Sequence, residues 1–199
     1  MATLNQTDDK ECEVSCSQNN PQSTVEHPNE PDCQADKVEE EYVLFFGKDS
    51  PFSQHHPAEF EIDGITFNCA EQYMMYMKAV TFKDEEIKEK ILQATNPVVQ
   101  KRLGRKVRNF ELDVWKKKCE EIVKRATEQK FSQNEDLKKQ LLATSPKTFV
   151  ECNHRDCVWG IGLGVKNPAA RDRTQWRGKN LLGFIITEVR NELLAEAQK

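Results

Sequence analysis

Two charged residues in otherwise apolar surroundings are the first whose types and spacing suggest chemistry. Glu71 lies in the segment 69–82, whose apolar residues occupy all sides of a predicted helix. Lys78 follows seven residues later, and at about 100° per residue the two side chains share one stripe of that helix. Such charges are costly to bury unless they are paired or face a ligand. Glu71 is therefore predicted to line a pocket, where it polarises water or stabilises a cationic transition state; the alternative is a buried ion pair with neighbouring elements.

A second group of candidate residues occupies the segment 153–164. Asp156 and Trp159 are three residues apart and precede Gly160 and Gly162, which let backbone approach a ligand closely. Trp159 is predicted to stack on a base, and Asp156 to accept a hydrogen bond or to act as a general base. The alternatives are a core tryptophan and a carboxylate that caps a loop.

The same region contains two patterns that do not qualify as cofactor or metal sites. GIGLG lacks the strand–turn–helix spacing of a dinucleotide fingerprint. Cys152, His154 and Cys157 lack a fourth zinc ligand at a suitable spacing. We therefore predict neither a metal nor a cofactor.

Basic residues recur beside turn signals. They are Arg102, Arg105 and Lys106 around Gly104, Lys130 near Asn134, and Arg177 and Lys179 next to Asn180. Any of these groups can hold a phosphate through charge-assisted hydrogen bonds. Taken singly, each is more often a solvated surface charge, so together they favour a phosphate site only modestly.

The first 41 residues differ in composition from the rest of the chain. They contain no Phe, Trp or Tyr, and their eleven acidic residues and two lysines give a net charge of −9. The other 158 residues carry +5, which suits an anionic ligand such as a phosphate ester but also ordinary surface charge. Because the first segment cannot bury enough apolar surface to offset the entropy of ordering it, residues 1–41 are predicted to be a disordered acidic tail and residues 42–199 a single domain.

The cysteines and the apolar runs indicate a compartment. The chain has seven cysteines, an odd number. No signal-peptide pattern opens it, and no apolar run approaches membrane-spanning length. These features predict a cytoplasmic protein without membrane association, with the nucleus as the alternative. The oligomeric state stays open.

Hydrophobic periodicity predicts a compact α+β domain that is rich in helix and has a small antiparallel sheet. Strands are expected at YVLFF from Tyr42, at TFVEC from Thr148, and in a hairpin that turns at Asp63-Gly64. Helices are expected over residues 69–82, 84–94, 98–105, 137–142 and 181–197.

Three finer expectations concern helix boundaries. Asn96 and Pro97 form a predicted N-cap and first-turn proline. Ser132 and Glu135 stand at capping-box spacing. One stripe of apolar residues predicts a single long helix through Leu112, Trp115, Cys119, Ile122 and Ala126.

Eight stretches of this sequence, in this order, resemble the NADAR family, which is also called YbiA-like. They are FFGKDSPFSQHHP, FNCAEQYMMYMKA, LGRKV, the lone Trp115, KFSQN, LLAT, DCVWGIGL and WRGKNLLG. They span nearly everything from Tyr42 to Leu194. One difference is the pair His55-His56, where the family usually has asparagine and an aromatic residue.

The resemblance implies a YbiA-like fold and N-glycosidase activity. Bacterial and plant members are associated with hydrolysis of ribosylamino-pyrimidine phosphates early in the riboflavin pathway. Others are linked to NAD and ADP-ribose metabolism, including removal of ADP-ribose from nucleic-acid bases. We therefore expect a small phosphoribosyl or ADP-ribosyl substrate, with Glu71 and Asp156 as the catalytic residues. The residues expected to bind the substrate are Phe52, Lys78, Arg105, Lys130, Asn134, Trp159, Gly160 and Asn180.

The chemistry of a ribosyl C1′–N bond fits two carboxylates. The bond breaks through an oxocarbenium-like transition state, which one carboxylate stabilises while another activates water. A non-catalytic module that binds ADP-ribose would not need both carboxylates. A glycohydrolase directed at nucleic acid would need a long basic stripe with aromatic residues, for which the charge of +5 is weak support.

Overall fold

The computed structural model describes residues 41–197. Within that range the strands are β1 (Tyr42–Phe45), β2 (Phe60–Ile62), β3 (Ile65–Phe67) and β4 (Thr148–Glu151). The α-helices there are α1 (Ala70–Thr81), α2 (Glu85–Gln93), α3 (Pro97–Gly104), α4 (Leu112–Lys116), α5 (Cys119–Ser132), α6 (Glu135–Leu142) and α7 (Leu181–Ala197). Two short 3₁₀ helices, Pro168–Arg171 and Arg173–Gln175, precede α7. The helix-rich α+β domain predicted from the sequence is confirmed.

The strands form two separate pairs. β2 and β3 make the predicted antiparallel hairpin, and its turn residues Asp63 and Gly64 both have positive φ, 53° and 76°, as a two-residue hairpin turn requires. β1 and β4 pair in parallel, with Phe45 opposite Glu151. The predicted antiparallel arrangement therefore holds for the hairpin only. β1 and β4 can run in parallel because the long helical segment between them returns the chain to the same end of the sheet.

Helix α1 is buried on nearly all sides, as its apolar pattern predicts. It packs against α2, α3 and α5. Its contact with α3 depends on Gly104, because a Cβ at that position would lie 2.1 Å from Sδ of Met75. This close approach sets α3 beside the stripe of α1 that carries Glu71 and Lys78. The buried residues of α1 are Ala70, Glu71, Gln72, Tyr73, Met74, Met75, Lys78 and Ala79.

Side-chain caps begin two of the helices around α1. Asn96 accepts a hydrogen bond from the backbone N–H of Val98 at 2.9 Å, so the predicted N-cap of α3 is confirmed. Asp84 caps α2 by accepting from the N–H of Ile87 at 3.3 Å, and it also accepts from Nη2 of Arg108 at 2.6 Å. Hydrogen bonds from Arg108 hold the pKa of Asp84 well below its usual range, so this buried carboxylate stays ionised and ties α2 to the segment that follows α3.

Two of the predicted helix boundaries are wrong. The stripe beginning at Leu112 does not form one helix, because the backbone N–H of Lys118 bonds to the carbonyl of Trp115 at 3.0 Å, a tight turn that separates α4 from α5. Ser132 is the last residue of α5 and not a cap, and Asn134 precedes α6. A short turn between α5 and α6 thus replaces the capping box.

Most of the predicted acidic tail lies outside the described residues. Its last residue, Glu41, is already attached to the domain. The carbonyl of Glu41 accepts from the N–H of Thr148 at 2.9 Å, and its carboxylate lies 3.1 Å from Nζ of Lys147. Glu41 is therefore in contact with the domain, and the predicted boundary between tail and domain stays a prediction.

Candidate active site

Glu71 lies in the first turn of α1 and exposes only 5% of its surface. Its backbone N–H donates to the carbonyl of Gln54 at 3.0 Å, and its Oε2 lies 3.4 Å from Nε2 of His55. Its Oε1 is buried and has no hydrogen-bond partner within residues 41–197. A buried carboxylate oxygen without a donor is costly. Glu71 therefore offers an acceptor that the donor group of a ligand or a water molecule can satisfy.

Lys78 shares the stripe of α1 with Glu71, but a different contact accounts for its burial. Its Nζ lies 3.9 Å from the ring centroid of Phe110 and 6.0 Å from that of Trp115. These cation–π contacts stabilise the ammonium where water has little access. The ion pair of Glu71 is formed with His55 on the loop that precedes β2. Sharing a helix stripe thus places Glu71 and Lys78 on one wall but in different environments.

Lys130 on α5 holds the loop that carries His55 by hydrogen bonds to the loop backbone. The Nζ of Lys130 donates to the carbonyl oxygens of Pro51 at 2.6 Å and Ser53 at 2.8 Å. Lys130 is fully buried, and this burial lowers its pKa to about 7. The donors of Lys130 are thus directed at the loop backbone, and a role of Lys130 in substrate binding stays a prediction.

Replacing Lys130 tests this support of the loop. Lys130→Met is expected to lower the free energy of unfolding by about 2–4 kcal/mol, because two buried carbonyls lose their donor. Since the pKa of Lys130 is depressed in the folded state, its contribution to stability is present above the ordinary lysine pKa and is lost as pH falls towards about 7. Denaturant unfolding at about pH 7.5 and about pH 9.5 should therefore show that the free energy of unfolding rises more between these two pH values for the wild type than for Lys130→Met. Lys117→Met, at an exposed lysine, is the control, and equal unfolding energies in all three proteins would contradict the assignment.

Asp156 closes the loop that follows β4. Its Oδ1 accepts from the backbone N–H groups of Val158 at 2.9 Å and Trp159 at 2.8 Å. Asp156 therefore caps its loop, which was the alternative to a catalytic role in the sequence analysis. The side chain is half-buried, and both of these hydrogen bonds end on the same oxygen. A catalytic role for Asp156 stays a prediction, in which Oδ2 is the oxygen that remains to face a substrate.

Glu151, the last residue of β4, is a buried carboxylate that the sequence analysis did not single out. It exposes 8% of its surface. Burial and, to a smaller extent, the negative charge of Asp156 raise its pKa, the positive charge of Lys101 on α3 lowers it, and the net result is a pKa of about 8. Glu151 therefore carries a proton at neutral pH. The signal was present in the sequence, since a glutamate inside an apolar strand such as TFVEC is costly unless it has a function or a partner.

Gly160 and Asn180 organise the backbone around β4. A Cβ at Gly160 would lie 2.8 Å from the carbonyl oxygen of Glu151, so only glycine allows the loop to cross the end of the strand. Asn180 is fully buried; its Oδ1 accepts from the N–H of Glu151 at 3.0 Å, and its Nδ2 donates to the carbonyl of Phe149 at 2.9 Å. The side chain of Asn180 is thus directed at the backbone of β4. Contact of Gly160 or Asn180 with a substrate stays a prediction.

The two aromatic candidates pack against the main core. Phe52 lies with its ring centroid 4.6 Å from that of Phe149 and 6.1 Å from that of Phe45. Trp159 is half-buried against the same core cluster. Phe52 thereby joins the loop of His55 to the strand that ends at Glu151. Stacking of Trp159 or Phe52 on a base stays a prediction.

The remaining candidates lie at helix ends. Arg105 is exposed at the C-terminal end of α3, where contact with a phosphate stays a prediction. Asn134 donates through Nδ2 to the carbonyl oxygens of Glu59 at 2.9 Å and Lys130 at 2.8 Å. Asn134 therefore links the segment that enters β2 to α5, and its predicted substrate contact stays a prediction.

Comparison with known proteins identifies the family. The chain matches the NADAR domain profile over residues 43–194. It is 38% identical over 168 residues to protein irg-1 of Caenorhabditis elegans, covering 76% of this chain and 79% of that protein. It is 40% identical over 164 residues to N-glycosidase R617 of Acanthamoeba polyphaga mimivirus, covering 77% and 96%. The chain belongs to the NADAR domain family.

The solved structure of a third relative supports the fold. The NMR structure of YbiA from Escherichia coli matches with a TM-score of 0.66 and 27% identity over 82% of this chain and 93% of YbiA. The curated name of that protein in strain K12 is N-glycosidase YbiA. A riboflavin biosynthesis protein of Vibrio vulnificus is 28% identical over 163 residues, which cover 80% of this chain and 41% of that protein.

Two surface clefts within residues 41–197 of this NADAR domain are lined by neither Glu71 nor Glu151. One, of about 650 Å³, lies along α7 beside Arg173, and the other, of about 590 Å³, lies beside Lys147 and Arg171. Neither contains a predicted site residue. The candidate site is therefore located by its buried carboxylates and not by the size of a cleft.

Residues 41–197 contain no group of three or more His, Cys, Asp or Glu side chains that could hold a metal ion. No helix in the same range is long and apolar enough to cross a membrane.

Proposed function

We propose that this NADAR protein is an N-glycosidase that hydrolyses the C1′–N bond of a phosphoribosyl compound. The observation that carries the proposal is Glu71, a buried carboxylate with one unpartnered oxygen at the start of the central helix. The names of the relatives R617 and YbiA, both N-glycosidases, support the same activity.

Glu71 has the properties needed to stabilise the transition state. Cleavage of the C1′–N bond leaves positive charge on the ribosyl ring. A carboxylate already fixed in a water-poor site stabilises this charge without reorganisation during the reaction. The Oε1 of Glu71 is such a group, because no hydrogen-bond donor within residues 41–197 engages it.

The departing base requires a proton, and Glu151 is the candidate donor. Its pKa of about 8 keeps it protonated at neutral pH, as general acid catalysis requires. Asp156, whose negative charge contributes to the raised pKa of Glu151, is the other candidate. We propose that either Glu151 or Asp156 is the second catalytic carboxylate beside Glu71. Phe52 packs on Phe149, two residues before Glu151, so the loop beside Glu71 also contacts β4.

The substrate we propose is a ribosylamino-pyrimidine phosphate of the early riboflavin pathway. The similarity to a riboflavin biosynthesis protein supports this choice, and the net charge of +5 over residues 42–199 suits a phosphate ester. Arg105 is the exposed basic residue that we assign to phosphate binding. A cytoplasmic location is part of the same proposal.

A substrate panel tests this function. The full-length protein is incubated separately with ribosylamino-pyrimidine phosphates, NAD, ADP-ribose and ADP-ribosylated DNA, and the released base and free sugar phosphate are measured by chromatography. We expect a base and ribose 5-phosphate from the first class. Release of ADP-ribose from DNA instead would show that the protein is a glycohydrolase of ADP-ribosylated bases. Binding of ADP-ribose without cleavage of any substrate would show that it is a binding module.

A further inference from the structure

Two adjacent histidines precede β2, and the structure gives them different partners. The Nε2 of His55 lies 3.4 Å from Oε2 of Glu71. The Nδ1 of His56 lies 3.1 Å from the carbonyl oxygen of Lys48. His55 thus contacts the candidate catalytic carboxylate, whereas His56 contacts the backbone of its own loop.

We propose that His55 is a positioning residue that fixes Oε2 of Glu71 and thereby directs Oε1 towards the ribosyl ring. This inference rests on the proposed N-glycosidase function. A carboxylate has two oxygens, and a neighbouring N–H donor or imidazolium engages one of them. The oxygen beside His55 is engaged, and the other is the one without a partner.

The geometry of the loop makes this positioning effective. Glu71 is anchored twice to the dipeptide Gln54-His55, through the backbone bond from its N–H to the carbonyl of Gln54 and through the side chain of His55. The carbonyls of Pro51 and Ser53 are in turn held by Lys130. The His55 side chain is 28% exposed, whereas that of Glu71 is 7% exposed. His55 therefore lies between the buried carboxylate and the solvent, on a loop that is fixed from the core.

A double-mutant cycle on stability tests the pair without reference to activity. Unfolding free energies are measured for the wild type, His55→Phe, Glu71→Gln and the double variant. We expect His55→Phe to destabilise the wild type, because it leaves a buried carboxylate uncompensated, and to cost less in the Glu71→Gln background. Additive effects, which are usual for residues that do not interact, would overturn the pairing whatever the chain hydrolyses.

Kinetics test the positioning role. With a substrate that the wild type hydrolyses, His55→Phe is expected to lower kcat by about 10- to 100-fold with little change in KM, because the positioned Oε1 of Glu71 acts on a positive charge that develops only in the transition state. His55→Gln, which keeps a donor, should recover most of this loss. His56→Phe is the matched control and should stay within about 2-fold of the wild type, since its partner is a loop carbonyl.

The outcomes separate the two proposals. A normal kcat in His55→Phe, or equal losses in His55→Phe and His56→Phe, would overturn the positioning role. If the wild type hydrolyses none of the panel, the proposed function fails and the role in turnover fails with it. The coupling energy of the cycle still decides whether His55 and Glu71 form a pair.

Discussion

Glu71→Gln is expected to lower kcat by about 10²–10⁴-fold, the usual range for the loss of one positioned catalytic group. The substitution removes the negative charge that would stabilise the oxocarbenium-like transition state but keeps the shape of the side chain. Because the amide still fills the same space and the phosphate contacts remain, KM should change far less than kcat. Steady-state kinetics on the ribosylamino-pyrimidine phosphate measure both constants.

A structural role for Glu71 predicts a different pattern. If the buried carboxylate serves only to hold the His55 loop, Glu71→Gln would lower the melting temperature and leave turnover per folded molecule unchanged. Melting temperature and kcat are therefore measured on the same samples. Full activity of the folded fraction would remove Glu71 from the catalytic site, and the control Glu61→Gln, at an exposed strand position, should alter neither quantity.

Glu151→Gln is expected to lower kcat by about 10²-fold or more and to abolish the alkaline limb of the pH profile. Burial raises the pKa of Glu151 to about 8, so a general acid at this position loses its proton, and its activity, as pH rises through about 8. Profiles of kcat/KM from about pH 6 to about pH 10 measure the limb. A wild-type profile that stays flat across this interval would exclude Glu151 as the proton donor.

The pKa of Glu151 also has consequences for stability. Because this pKa is raised in the folded state, the contribution of Glu151 to the free energy of unfolding is present below the ordinary glutamate pKa of 4.5 and is lost as pH rises towards about 8. The wild type should therefore lose unfolding free energy over that interval, and Glu151→Gln should lose less. This comparison checks the protonation state even if no substrate has been found.

Asp156→Asn separates the two candidates for the second carboxylate. Its Oδ1 accepts from two backbone N–H groups, and an asparagine oxygen can accept the same bonds, so the loop should stay closed. Since the charge of Asp156 raises the pKa of Glu151, its removal should shift the alkaline limb to lower pH. A loss of kcat as large as that of Glu151→Gln, with no shift of the limb, would instead assign the proton transfer to Asp156.

Local patterns in the sequence determined most of the secondary structure. The Asp63-Gly64 turn, the Asn96-Pro97 start of α3 and the all-round burial of α1 depend on backbone preferences and periodicity within a few residues. The break between α4 and α5 was missed for the same reason. A tight turn preserves the apolar stripe, since Trp115 and Cys119 are buried on either side of it, so periodicity does not reveal the break.

The candidate site was determined by the sequence only in part. Glu71 could be found because a carboxylate on an apolar helix is costly and therefore informative. The partner of Glu71 could not be found in this way, because His55 lies on a loop that only the fold brings to α1. The pattern of α1 itself indicates only Lys78, the other charged residue on the same stripe. Lys130, Asn134 and Asn180 have the residue types of phosphate ligands, yet the fold directs their polar groups to backbone carbonyls and N–H groups.

The parallel pairing of β1 with β4 was decided by the tertiary structure alone. More than a hundred residues separate the two strands, and no local pattern states which distant strand a short apolar run will join. That pairing places Glu151 opposite Phe45 and brings it within the electrostatic influence of Asp156 and Lys101. A glutamate that the sequence shows only as one charge in an apolar strand thereby becomes a buried acid that is protonated at neutral pH, because its pKa depends on desolvation and on charges that the folded chain brings together.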